Sequence, residues 1–229
     1  MPALYRDDVI AAALPFVKGD DRTVLIGALG SSQGATGADL LHQVFGERGS
    51  GTGHDRAVAL SGLRFRIGAE GTPLYAAALT DRSVPVQLSA ILALAQFGDA
   101  RATTPVIAWL TRKLRRNNRL ATCDPWEVPA PITFAVRNEC VQQVAVVLVS
   151  NLSRLDPTER EWLALVWPDL ESRGVGSDPS PPDPVGLDKW LYESATRPED
   201  YAASQRFTDT YVQAALARAH RRARRVEGT

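Results

Sequence analysis

An all-α fold, a short α-solenoid of three to four antiparallel helix pairs closed by a C-terminal capping helix, is predicted by three observations on this 229-residue chain. A stretch of sequence returns at a fixed offset, each copy carries two apolar stripes of helical period, and a glycine-containing break separates the stripes. Asp21-Arg22-Thr23-Val24-Leu25-Ile26-Gly27-Ala28-Leu29 recurs 34 residues later as Asp55-Arg56-Ala57-Val58-Ala59-Leu60-Ser61-Gly62-Leu63. The offset then holds without a gap: Gly34-Ala35-Thr36-Gly37 falls on Gly68-Ala69-Glu70-Gly71, and Leu40, Leu41, Val44 and Phe45 fall on Leu74, Tyr75, Ala78 and Leu79. A third copy opens at Asp81-Arg82, with Gly98 matching Gly68 at an offset of 30.

Each copy therefore reads as a helix, a tight turn and a helix. Gly34, Gly68 and Gly98 suit the left-handed position that commonly ends a helix. Pro73 and Pro105 fall near the start of each following helix, where a missing backbone donor does no harm. One such pair cannot bury its apolar face alone, whereas stacked pairs share a continuous core.

The third copy is the most informative. Its residues Ala90-Ile91-Leu92-Ala93-Leu94-Ala95-Gln96-Phe97-Gly98-Asp99-Ala100-Arg101-Ala102 resemble HEAT-like repeats of the bacterial PBS-lyase type, in which a Gly-Asp-x-Arg-Ala turn joins two helices. Gly68-Ala69-Glu70-Gly71-Thr72 is similar to a weaker version of that turn. The resemblance runs from Asp21 to Arg116. It implies an architecture and no particular activity, because such modules serve in lyases, scaffolds and nucleic-acid proteins alike.

Beyond it, Pro125, Pro129 and Pro131 predict an irregular insertion or a very short helix over 117–136. A degenerate fourth pair is expected from Asn138 to Leu152 and from Thr158 to Trp167, the latter opened by Asp156 and Pro157. The stretch 172–186, rich in Pro, Gly and Ser, reads as a linker. A short segment at Leu187 to Ser194 follows, then a long amphipathic helix from Pro198 to about Arg225 with Tyr201, Thr208, Tyr211, Val212, Ala215, Leu216 and Ala219 as its buried stripe. The domain organisation is thus a helical repeat domain over 1–171, a linker over 172–186 and a C-terminal helical segment over 187–229. The last helix is expected to cover the outer face of the fourth pair, or to exchange with a second copy, so that the chain is a monomer or a helix-swapped homodimer.

Composition bounds the rest. Hydrophobic residues make up 45% and charged residues 23%, with zero net charge, which is the balance of a folded globular protein and not of a disordered one. Cys123 and Cys140 have no CxxC partner and no histidine ladder, and His42, His54 and His220 show no ligand spacing, so no metal site, disulfide framework or cofactor is expected. The N-terminus reaches Asp7 and Asp8 before any apolar run, and no apolar stretch nears the roughly 20 residues a bilayer demands, so a cytoplasmic protein without a signal peptide or membrane partner is expected. Arginine far outnumbers lysine, which stands only at 18, 113 and 189; with abundant alanine this points to a GC-rich bacterial genome.

Charge is unevenly spread, since residues 101–120 carry 6 basic and 0 acidic side chains while 121–205 carry 6 and 14. The island Arg112, Lys113, Arg115, Arg116 and Arg119 is the first candidate for function: a footprint for phosphates or an acidic protein face, set against helix-end cations that complement the macrodipole. The closing run His220-Arg221-Arg222-Ala223-Arg224-Arg225 reads more simply as a solvated helix end. Trp109 is either core between helices or, turned outward, an aromatic anchor beside Arg112. The glycine-rich Gly46 to His54 has no Gly-Lys-[Ser/Thr] and follows a helix, so it reads as a connector. No catalytic motif stands out, which favours a non-catalytic interaction or scaffold protein over an enzyme. The expected partner is another protein on the surface of the second helices, with His42, Gln43, Trp109, Arg112, Lys113, Arg116 and Arg119 as contact residues and Asp39, Ala76, Ala77 and Ala108 beside them. Nucleic acid bound by the Arg112 to Arg119 island is the alternative, and a DNA-repair glycosylase-like enzyme a third reading.

Overall fold

The structure is a computed structural model, and it describes residues 5–47, 52–115, 130–155 and 198–227. Every regular element among the described residues is helical, and a parallel bridge between Arg6 and Gln33 is the only extended pairing there. A first helix, α1 (Asp7–Ala13), runs into a 3-10 turn (Leu14–Phe16). Six helices then occupy the positions the repeat predicts: α2 (Asp20–Leu29), α3 (Gly37–Gly46), α4 (Gly53–Ile67), α5 (Thr72–Ala78), α6 (Val84–Phe97) and α7 (Thr103–Arg115). They are followed by α8 (Ala130–Arg137), α9 (Val141–Val149) and the long α10 (Pro198–Glu227). No helix among the described residues is long and apolar enough to cross a membrane.

The boundaries have local causes. Pro73, Pro85, Pro105 and Pro131 all fall within the first three residues of their helices, where the ring costs no hydrogen bond. Gly68 ends α4 at φ 51° and ψ -131°, a positive-φ conformation that favours glycine but is not the left-handed helical one expected. Gly98 also departs from that expectation: it is not left-handed, and a Cβ there would sit 2.6 Å from the carbonyl oxygen of Leu94, so crowding is what excludes a side chain. The short helix expected somewhere within 117–136 is α8, which runs on to Arg137. The helix expected over Asn138 to Leu152 is therefore shorter than its apolar pattern suggested. Asn138, Glu139 and Cys140 form the break between α8 and α9, with Glu139 at φ 53° and the Asn138 amide donating to the Phe134 carbonyl. The rest of the insertion, Thr158 to Trp167, the linker 172–186 and Leu187 to Ser194 lie outside the described residues.

The chain divides into two compact units. The first comprises 1–71, 81–90 and 198–229; in it α2 and α3 pack on α4, and α10 lies on α2, the 3-10 turn and α1. Ile10, Leu25, Ile26, Leu29, Leu41, Leu60 and Leu63 are its largest buried side chains. Where α2 ends, a Cβ on Gly30 would meet the Gly62 Cα of α4 at 2.9 Å, so the two backbones are in contact. The second unit comprises 72–80 and 91–197, and α7 packs there on α5, α8 and α9 around Tyr75, Trp109, Leu110 and Phe134. Among the described residues the final helix thus docks on the first helices of the chain, whereas the fourth pair was its expected seat. Of its expected stripe, Val212, Ala215 and Ala219 are buried, Leu216 is half-buried, Tyr211 is exposed, and the side chains of Tyr201 and Thr208 lie outside the described set.

Candidate functional site

The Asp-Arg dipeptide that opens each copy is a connector in the first unit. Arg22 donates to Asp55 and, at 2.6 Å, to Glu47, while Thr23 adds a 2.6 Å bond to the other oxygen of Asp55. Arg56 repeats the arrangement one copy on, pairing with both oxygens of Asp81 while its Nε donates to the Phe45 carbonyl at the end of α3. Each copy's arginine therefore holds the next copy's aspartate. At the start of the series Asp21 accepts from Arg218 of α10, whose Nε lies 3.0 and 2.8 Å from the two carboxylate oxygens and whose Nη2 lies 2.5 Å from one of them. The hydrogen bond from Arg218 holds the Asp21 carboxyl below the usual carboxylate range; burial opposes this, and the charges of Arg218 and Arg222 add to it.

A second centre joins α1 to the turn between α2 and α3. Asp7, 2% exposed, accepts from the Ser32 hydroxyl, from the Gly37 backbone at 2.6 Å and from Arg66 at 2.7 Å. Burial acts to raise its pKa, but the bonds from Ser32, Arg66 and Gly37 outweigh it and the group stays below the ordinary range. Arg66 spends its other donors on the carbonyls of Leu29, Ser32 and Gly34. The paired strand-like contact nearby, Asp7 N to Gln33 O and Gln33 N to Tyr5 O, closes the same loop.

Arginines also close helix ends throughout. Besides Arg56 on Phe45 and Arg66 on Leu29, Arg112 donates to the Leu79 carbonyl just past α5 and Arg154 to Leu114 in the last turn of α7. Arg137 reaches the Ala95 and Gln96 carbonyls at the end of α6, and Arg222 reaches Phe16 at the end of the 3-10 turn. A guanidinium offers five fixed donors and complements the negative end of a helix, which a lysine point charge does less well. The arginine-rich composition is thus put to structural use.

This reshapes the candidate site. On α7 the positions Val106, Trp109, Leu110, Lys113 and Leu114 form the buried stripe. Trp109 is 1% exposed and Lys113 7%, with the ammonium 5.5 Å from the indole centroid, so neither is available to a partner. Arg112 and Arg115 are exposed, but Arg112 is engaged with Leu79. Arg116 and Arg119 lie outside the described residues. On α3, in the first unit, Asp39, His42 and Gln43 are exposed together at helical spacing. Ala77 and Ala108 are exposed and Ala76 half-buried. Among the described residues no group of His, Cys, Asp or Glu is placed to hold a metal. Cys140 is buried, and burial pushes its thiol up against a lowering contact from Thr103, so it is not an activated nucleophile. The sequence contained the signal for the connectors, the recurring Asp-Arg, but not their pairing, and nothing in it singled out Asp7, Arg66 or Arg218. No family model matches the chain, and no curated protein or solved structure gives a match.

Proposed function

We propose that the chain is a non-catalytic interaction protein, a short solenoid of HEAT-like helix pairs that receives a protein partner on the outward face of α3. The observation that carries this is the contrast in engagement. Asp39, His42 and Gln43 stand exposed on one helix face and make no hydrogen bond or ion pair among the described residues, whereas Arg22, Arg56 and Arg66 next to them are all consumed internally. Stacking of the pairs is supported by the Asp-Arg exchange, which recurs with the same partners from copy to copy. The nucleic-acid reading is left with Arg115 as the unengaged basic residue of its island among the described residues, and the glycosylase-like reading loses Trp109 to the core.

The test places a photo-crosslinking residue at position 42 or 43, with exposed Gln96 as a control position, in cells that express the chain. A protein adduct formed from 42 and 43, abolished by Asp39→Arg and insensitive to nuclease, is the expected result. Adducts no stronger than those from position 96 would remove α3 as the docking face.

A further inference from the structure

We infer that the last turns of α10 are a docking surface for duplex DNA, in which Arg221 and Arg224, flanked by His220 and Arg225, meet the phosphate backbone. The first argument is the face these side chains occupy. Val212, Ala215 and Ala219 form the buried side of α10. Arg221 and Arg224 follow Ala219 by two and five residues, about 200° and 140° round a helix of 3.6 residues per turn, and both are exposed. Arg218 and Arg222, four residues apart, are spent on the Asp21 carboxylate and on the Phe16 carbonyl at 3.1 Å. Those two contacts fix the rotation of α10, and that rotation turns Arg221 and Arg224 outward.

The second argument is that this charge is not compensated. Other exposed arginines carry an acid of their own: Arg6 is bonded to Asp8 and Arg101 to Asp99, each two residues away. From 210 to 226 the chain has five arginines and no acid. Arg221 and Arg224 make no hydrogen bond or ion pair among the described residues. The helix dipole accounts for cations in the last turn, where Arg224 and Arg225 stand, but its effect fades before Arg221. Like charges three and four residues apart on a helix repel one another. Arg221 beside Arg224 and Arg225 is therefore a cost to the helix that a bound polyanion removes.

The third argument names the polyanion by charge complementarity and by what the face lacks. An anionic membrane takes up the apolar side of an amphipathic helix, and that side of α10 is buried. A protein interface is anchored by large aromatic or apolar side chains and a single strand by stacking on aromatics, yet no Phe, Tyr or Trp stands between 212 and 229. What the face offers is guanidinium groups about one turn apart, whose planar forks suit phosphate oxygens. The major groove of B-form DNA, about 12 Å wide, admits a helix, whereas that of duplex RNA is too deep and narrow for side chains to read. Thr210 and Ala217, exposed and short on the same face, leave the approach open. Phosphate contacts position a protein without reading sequence, so the binding is indifferent to base composition. This inference is independent of the α3 face, and its test leaves that face untouched.

Fluorescence anisotropy of a labelled DNA duplex, titrated with the full chain, decides it. With three to four phosphate contacts, log affinity should fall against log salt with a slope of about −3, a loss of about 60-fold between about 50 and 200 mM salt. Arg221→Gln/Arg224→Gln should weaken binding at least about tenfold at the lower salt and reduce the slope by about 2, with an unchanged circular dichroism spectrum. Arg115→Gln on α7 should bind as the wild type does. Should the glutamines disturb the helix, Arg221→Lys/Arg224→Lys serves: it keeps both charges and should keep the wild-type slope. A duplex that does not bind at the lower salt overturns the proposal, and so does a wild-type slope in the folded glutamine variant or a lost slope in the lysine one. Loss of binding in Arg115→Gln would move the site to α7 and sink the assignment to α10. An RNA duplex of the same sequence bound equally well, or phosphatidylserine vesicles bound in preference to DNA, would overturn the choice of partner.

Discussion

In the first unit of this protein arginines join elements through carboxylates as well as carbonyls, whereas the described arginines that join elements of the second, Arg112, Arg137 and Arg154, do so through carbonyls. Arg22, Arg56, Arg66 and Arg218 pair with Asp55, Asp81, Asp7 and Asp21, whereas Arg112, Arg137 and Arg154 close helix ends at Leu79, Ala95 and Leu114. Both are structural uses of the same side chain, but their consequences differ. A carboxylate can be titrated, mutated into an orphan charge for its partner, or captured by a competing arginine. A backbone carbonyl can suffer none of these. The first unit is accordingly the one whose cohesion should respond to pH and to charge reversal.

The largest test of that contrast is Asp7→Ala. It strips Arg66, Ser32 and the Gly37 amide of a shared acceptor in a buried site, and breaking a buried pair from one side costs about 3 to 5 kcal/mol. Urea unfolding should show a loss near the lower figure, because Arg66 keeps its three carbonyl acceptors. Hydrogen exchange should accelerate over 7–37 while 141–149 retains its protection. Arg137→Ala, the counterpart in the second unit, removes a charge-assisted cap at a partly exposed helix end and should cost about 1.5 kcal/mol. If the two substitutions prove equal, the distinction between the units has no energetic content.

Acid sharpens the same comparison. Asp7 and Asp21 both titrate below their ordinary range in the folded chain. A depressed folded pKa contributes stability that is fully present above the unfolded value of about 4 and is lost as pH falls through the folded one. As pH falls below about 4 the protection of α1, α2 and the docked part of α10 should therefore decline before that of α8 and α9. In the second unit Asp99 is also depressed, to about 2, first through its hydrogen bond from Arg101. That pair joins residues two apart on an exposed turn, and Asp99 takes a further hydrogen bond from Thr72 at the start of α5. Uniform loss of protection in both units would count against the assignment.

How much of this was legible beforehand follows from what periodicity can and cannot encode. The helices α2 to α7 stand where the 34- and 30-residue offsets put them, because buried stripes and terminal prolines and glycines are local signals. The break at Glu139 was not legible: Val141 to Val149 continues the apolar pattern of its neighbours, and a left-handed glutamate has no sequence signature. The island on α7 misled for a related reason. A count of cations does not record which face each occupies, and Lys113 follows Trp109 by four residues, which places it on the buried stripe. Reversing Arg112 and Lys113 to glutamate should destabilise the second unit, since one caps α5 and the other is buried. Pairings across long stretches, such as Arg218 with Asp21, are invisible to any local reading.

The next effect in size is Arg56→Lys. Lysine keeps the charge near Asp81 but lacks the fork that also reaches the Phe45 carbonyl, so that part-buried acceptor loses a charge-assisted donor at a cost of about 1 to 3 kcal/mol. Chemical denaturation should resolve the loss, and Asp81→Asn should not add fully to it, because the two groups share one interaction.

The smallest expected effect is on α3, and its smallness is what makes it informative. Asp39, His42 and Gln43 are exposed, bond to nothing among the described residues and sit opposite the buried Leu41 and Val44 of the same helix. Replacing all three with alanine removes no cap, no ion pair and no core volume, and alanine is the better helix former. Stability should change by no more than about 0.5 kcal/mol in either direction, and exchange protection in α2, α3 and α4 should be unaltered. Partner capture by α3, if the proposed function holds, should fall in the same protein. A loss above that range would mean these side chains support the fold after all, and α3 would then join the first unit's structural network instead of facing outward from it.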